Sequence, residues 1–132
     1  MNDIKSILEK SKTIAIVGLS DKPERDSYGI AGVLQKSGYK IIPVNPTIEE
    51  SLGEKSYPDL KSIPVDFNIV NVFRKPRDVP PIIEEALHTN AHTIWLQTGI
   101  TVDDEIAKKV EDSGKILVQD QCIGVAVRTM LV

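Results

Sequence analysis

The 132-residue chain has a single cysteine, Cys122, which excludes an internal disulfide. A lone cysteine fits a reducing cytoplasm, the expected location. Histidine is almost as scarce, and His88 and His92, scattered from Cys122, make a poor metal site. No apolar run approaches the ~20 residues that cross a bilayer, so no membrane association is expected. The N-terminal stretch MNDIKSILEKSK is polar and mixed in charge, without the apolar core of a signal peptide. Charge of one sign is not in excess either: 16 Lys and Arg stand against 19 Asp and Glu, a net −3. Such a surface has no strong field for nucleic acid or anionic lipid, so any phosphate site has to be local.

Two phosphate-binding signatures are missing as well. G-x-G-x-x-G fails because Ser20 stands where the second glycine would follow Gly18. The next apolar run ends in Asn45 rather than in the acidic residue that grips a ribose diol, and both departures argue against NAD. Without G-x-x-x-x-G-K-[ST], nucleoside triphosphate hydrolysis is not expected.

What is present is ordinary globular material, 41% hydrophobic and 27% charged, of a length that suits one domain over 1–132. Residues 3–10 read as a short amphipathic helix with Ile4, Ile7 and Leu8 on one side. The run 13–17 (TIAIV) ends at Gly18 and fits a strand buried on both faces. Residues 28–37 carry Ile30, Ala31, Val33 and Leu34 at helical spacing, with Gly38 placed to follow the helix end. The pattern then repeats. Strands are expected at 40–44, 67–72, 93–96 and 115–118, with helices over 79–90 and 101–113. Residues 47–64 read as a loop with one helical turn at 59–62, and 123–132 as a short helix or turn. Pro43 is a concern inside the second strand because proline removes a ladder donor, unless it lies near the strand's end. Pro80 and Pro81 sit in the first turn of their helix, where missing N–H groups matter least. Asp103, Asp104 and Glu105 likewise occupy the favourable end of theirs.

Alternating strands and helices predict an α/β fold: a Rossmann-type three-layer sandwich around a five-stranded parallel sheet, in the expected strand order 3-2-1-4-5. Ligands of such sheets sit beyond the carboxyl ends of the strands, where the strand order reverses. The loops 18–28, 45–47, 73–79, 97–101 and 119–124 are therefore the ones to inspect. In the first, Gly18 ends the strand where a close turn is needed, and Ser20, Lys22, Arg25 and Ser27 lead into a helix N-terminus. Free N–H groups, the helix dipole, hydroxyls and a guanidinium all favour phosphate there, although a solvated loop has the same composition. Arg74, Lys75 and Arg77 either pair with phosphates or with acidic residues of the neighbouring loops, or form a solvated basic turn. Gln97, Thr98 and Gly99 offer an amide, a hydroxyl and a turn glycine, for a ligand or for the next helix.

Taken together, the stretches IAIVGLSDKPERDSYGIAGVLQKSGYKIIPVNP (14–46), GEKSYPDLKSIP (53–64), VNVFRKP (70–76), IWLQTGI (94–100) and QDQCIGV (119–125) follow the order of a known family. The chain resembles the stand-alone CoA-binding domain proteins, relatives of the N-terminal domain of the succinyl-CoA synthetase alpha subunit. That resemblance implies coenzyme A held across the sheet's switch point. It implies that Gly18, Leu19 and Ser20 line the ADP phosphates, helped by Lys22, Arg25, Ser27 and Tyr28. By the same analogy Asn45 and Pro46 pack near the adenosine end. Val72, Phe73 and Arg74 contact the nucleotide and the start of the pantetheine arm, and Gln97, Thr98 and Gly99 lie farther along. The family's last-loop cysteine corresponds to Cys122, but Gln121 stands where many relatives carry a positive residue.

The synthetase's active-site histidine lies in a domain absent from this sequence, and His88 and His92 are expected at the surface. Cys122 reads either as a small buried hydrophobe or as a thiol able to form a mixed disulfide with CoA. No nucleophile–base pair is evident. The expected function is therefore a non-catalytic module binding CoA or an acyl-CoA, as carrier, sensor or regulatory partner, alone, as a homodimer or with a protein partner. Two alternatives stand: an NAD(P)-binding oxidoreductase-like domain, and a subunit of a CoA-dependent transferase or ligase completed by another chain. Gly18→Val is expected to block a pyrophosphate and leave the fold mostly intact.

Overall fold

The computed structural model describes residues 3–131. Five strands form one parallel sheet: β1 (Thr13–Val17), β2 (Lys40–Val44), β5 (Ile69–Val72), β6 (Thr93–Leu96) and β7 (Ile116–Val118). A two-stranded hairpin, β3 (Glu50–Ser51) and β4 (Glu54–Lys55), stands apart from it. The helices are α1 (Ile4–Lys10), α2 (Asp26–Lys36), α3 (Val79–Leu87), α4 (Asp104–Asp112) and α5 (Ile123–Met130). Short 3-10 turns lie at Leu60–Ser62 and Pro76–Asp78.

Successive strand residues point to opposite faces, and both faces are covered. Ala15, Val17, Ile42, Val44, Val70, Val72, Ile94 and Leu96 pack with Val79, Ile83 and Ala86 of α3 and Val110 of α4. Ile14, Ile16, Ile41, Ile69 and Trp95 pack with Ile7 and Leu8 of α1, Ala31 and Leu34 of α2, and Ile123 and Val127 of α5. Gly124 lets α5 approach α2, since a Cβ there would lie 3.3 Å from Ile30 Cγ2.

The strand order is β2-β1-β5-β6-β7, which in the numbering of the five apolar runs is 2-1-3-4-5. This corrects the expected 3-2-1-4-5. Strand β5 pairs with β1, Ile14 beside Ile69 and Val17 beside Val72, and not with β2. The outer edge of β2 is occupied locally. Tyr57 N–H donates to the Pro43 carbonyl at 3.0 Å, and its own carbonyl accepts from Asn45 N–H at 2.9 Å. Pro43 offers no N–H along that edge, which weakens it as a seat for a full strand, and β5 pairs on the far side of β1.

Element ends differ from expectation for local reasons. Helix α2 begins at Asp26, two residues earlier than its apolar pattern starts. Helix α4 begins only at Asp104, because extended Asp103 (φ −74°, ψ 170°) accepts Ile106 N–H at 2.9 Å as the N-cap. The tail is the helix α5. Among the described residues, no helix is long and apolar enough to cross a membrane.

Candidate functional site

The direction of strand order reverses between β1 and β5, and their carboxyl ends meet tightly. Phe73 N–H donates to the Val17 carbonyl at 2.8 Å, and Gly18 N–H to the Val44 carbonyl at 2.9 Å. Gly18 has φ +91°, and a Cβ on it would lie 2.1 Å from the Phe73 carbonyl oxygen. The glycine is thus required by the backbone beside it, whatever binds above. The same Cβ position is 3.4 Å from Arg74 Nε, which brings the guanidinium over the turn.

Beyond Gly18 the loop is held by side chains from three other segments. Ser27 Oγ accepts Ser20 N–H at 3.0 Å, and Ser51 Oγ donates to the Ser20 carbonyl at 2.7 Å. Asn45 Nδ2 donates to the Leu19 carbonyl at 3.0 Å, while its Oδ1 accepts from the Thr47 amide and hydroxyl. Ser20 Oγ accepts Lys22 N–H at 3.0 Å. Both Ser20 and Ser27 hydroxyls accept from backbone, which leaves each O–H proton available to a ligand. The loop delivers the N-terminus of α2, where Arg25 is the N-cap and makes no side-chain capping bond.

Two adjoining crevices open over these loops. The first, about 860 Å³, is lined by Gly18, Ser20, Lys22, Arg25, Ser27, Asn45 and Phe73, together with Asp21, Glu24, Asp26, Thr47 and Ile48. The second, about 520 Å³, is lined by Ile30, Phe73, Arg74, Lys75, Gln97, Thr98, Ile100 and Cys122. Asp26 and Phe73 belong to both. The first is rich in charge and hydroxyls, and the second exposes a mainly apolar surface from Ile30, Phe73, Ile100 and Cys122, beside the charged Asp26, Arg74 and Lys75, the Gln97 amide and the Thr98 hydroxyl. Lys22, Arg25, Arg74 and Lys75 make no ion pair, since those among the described residues join Glu84 to His88 and Lys109, and Lys108 to Asp112.

Not every expected residue is at the wall. Leu19 and Val72 are fully buried in the two cores, and Tyr28, Pro46 and Gly99 do not line either crevice. Gln97 is 5% exposed, and its Oε1 accepts Ile123 N–H at 2.9 Å, which fixes the start of α5. Gly99 N–H donates to Asp120 Oδ1 at 2.6 Å. The carboxylates of Asp21, Glu24 and Asp26 were not anticipated; the sequence signal for Asp26 was an acidic residue opening a helix. Cys122 is half-buried at the crevice wall, between the two roles its sequence allowed.

Neither histidine is near this site. His88 is exposed on the end of α3. His92 departs from its expected place at the surface: it is half-buried at the amino end of β6, with Nδ1 2.7 Å from Thr93 Oγ1 and Nε2 3.4 Å from Ser11 Oγ. Burial, with the nearby charges of Lys10 and Lys115, pushes its pKa below the ordinary value.

Against known proteins, residues 12–128 match the profile of a family described as a CoA binding domain. The uncharacterized protein YneT of Bacillus subtilis is 46% identical over 124 residues, covering 94% of this chain and 91% of that one. A hypothetical protein from Pyrococcus horikoshii, of solved structure, superposes with a TM-score of 0.91 at 38% identity, covering 98% of this chain and 91% of that one. An ADP-forming acetate–CoA ligase of Archaeoglobus fulgidus is 29% identical over 76 residues, which is 56% of this chain but only 11% of the ligase.

Proposed function

We propose, from the premise that this chain belongs to the CoA binding domain family, that it holds coenzyme A or an acyl-CoA across the β1–β5 switch point without transforming it. One observation carries the reading. A charged crevice with unpaired Lys22, Arg25 and Arg74 beside it runs into a mainly apolar one walled by Ile30, Phe73 and Ile100. That sequence of surfaces suits a ligand with a polyanionic head and a long neutral arm. The diphosphate would lie over the Gly18–Ser27 loop, taking N–H groups of α2, the Ser20 and Ser27 hydroxyls and the Arg25 guanidinium. The amide-bearing arm would run past Phe73 toward Gln97 and Thr98, and the ligand's sulfur would arrive near Cys122.

The bound CoA is left unchanged in this reading because a nucleophile needs a base beside it. The thiol and hydroxyls at the crevice wall, Cys122, Ser20, Ser27, Thr47 and Thr98, have no histidine beside them, since both histidines lie away from that wall. A chain with one cysteine fits a cytoplasmic setting. The partial match to the acetate–CoA ligase supports a second reading, a ligase subunit completed by another chain. A partner that co-purifies and restores CoA-dependent turnover would favour it.

Thermal unfolding with CoA, NAD and ATP tests the first reading. At a hundredfold excess over Kd, a ligand of the native state adds about 2.7 kcal/mol, or roughly 8 °C in Tm for a domain of this size. CoA is expected to give that rise, and NAD and ATP much less. An equal rise with NAD, or none with CoA, overturns the reading.

A further inference from the structure

We infer that the crevice continues past Cys122 into an acyl subsite, so that the chain takes a CoA thioester of a neutral aliphatic acid more tightly than free CoA; this rests on the CoA reading above. A third cavity of about 310 Å³ shares Thr98 and Cys122 with the second crevice and is walled by Val125, Ala126 and Met130. Three cavities therefore lie in series, joined first at Asp26 and Phe73 and then at Thr98 and Cys122. A ligand with its diphosphate at the start of α2 and its arm along the second cavity brings its sulfur to the second junction. Whatever the sulfur carries enters the third cavity.

That cavity is built for an apolar tail. Val125 is 46% exposed and Met130 38%, so two of the four large hydrophobic side chains exposed among the described residues wall this one cavity. Such clustering on a surface otherwise well covered marks a place where something apolar docks. Helix α5 starts right after its N-cap Cys122, and Val125, Ala126 and Thr129 of its first two turns wall the cavity beside the thiol. Continuity with the crevice identifies the occupant as the tail of the same ligand. Asp120 on the rim sets the class further: its carboxylate opposes an acyl group that ends in a carboxylate of its own.

Calorimetry with CoA, butyryl-CoA, hexanoyl-CoA and succinyl-CoA tests this on the wild type and on the variants Val125→Asp and Thr129→Glu. The affinity is expected to rise about two- to fourfold per added methylene from butyryl to hexanoyl. Succinyl-CoA should bind more weakly than butyryl-CoA. Both variants should lose the gain and keep the wild-type affinity for free CoA. Failure of free CoA to bind would remove the CoA reading itself. Binding of CoA with a flat or falling acyl series would leave that reading standing and overturn the subsite. So would variants that keep the full acyl gain, and sedimentation in which Val125→Asp splits a ligand-free dimer would then assign the patch to a second copy of the chain.

Discussion

Gly18 joins the fold and the site at one atom. A side chain there would combine a left-handed φ of +91° with a contact of 2.1 Å to the Phe73 carbonyl, which is backbone and cannot swing aside. The expectation that a bulky residue would block a ligand and spare the fold is therefore corrected. Gly18→Ala should lower stability by at least about 2 kcal/mol, read from urea unfolding. Wild-type stability in that variant would contradict the contact. Arg25 is the complementary case, exposed and tied to nothing through its side chain. Arg25→Ala should leave the melting temperature of the free protein unchanged and weaken CoA binding by roughly 1–3 kcal/mol, measured by calorimetry. Unchanged affinity would take Arg25 out of the site. At this scale the sequence revealed residue types but not partners. Asn45 reads as a strand end near a ligand, yet its amide is spent on the Leu19 carbonyl and on Thr47. Ser27 reads as a phosphate hydroxyl, and it also holds Ser20 N–H across the loop. Such bonds join positions 7 to 31 apart in the chain, and no local pattern encodes them.

The buried strands were legible as elements because each is a short apolar run covered on both faces. Their neighbours were not, since apolar runs of one kind can pair in any order. The edge of β2 was decided by Pro43 and by Tyr57 folding back on it, a contact from a segment that reads as plain loop. The β3–β4 hairpin went unread for a related reason. Its turn places Leu52 at φ +54° and Gly53 at φ +80°, and a leucine where asparagine or glycine is usual hides the turn. Far from the crevice, His92 ties the end of α1 to β6 through Ser11 and Thr93. Its folded pKa is depressed by burial and by Lys10 and Lys115, while the unfolded ring titrates near its usual value of about 6.5. The unfolded chain then binds the extra proton first, so stability is full above that pH and is lost as pH falls through it toward the folded pKa. Melting temperature should drop more steeply between about pH 7.5 and 5.5 in the wild type than in His92→Gln. Identical profiles would show that the ring carries no such linkage.

Across the whole molecule, the proposed function rests on a local gathering of charge in a chain whose net charge is −3. Lys22, Arg25, Arg74 and Lys75 come from two loops brought together by the reversal between β1 and β5, and Asp21, Glu24 and Asp26 sit among them. Screening at ionic strengths above physiological should therefore weaken the head of the ligand more than its apolar arm. Amide chemical-shift mapping during titration with CoA tests whether the carboxyl ends of β1 and β5 hold the ligand. Shifts are expected at 18–27, 73–75, 97–98 and 122, with the amino ends of the strands around His92 unmoved. Shifts absent from 18–27, or gathered at the amino end of the sheet, would contradict it.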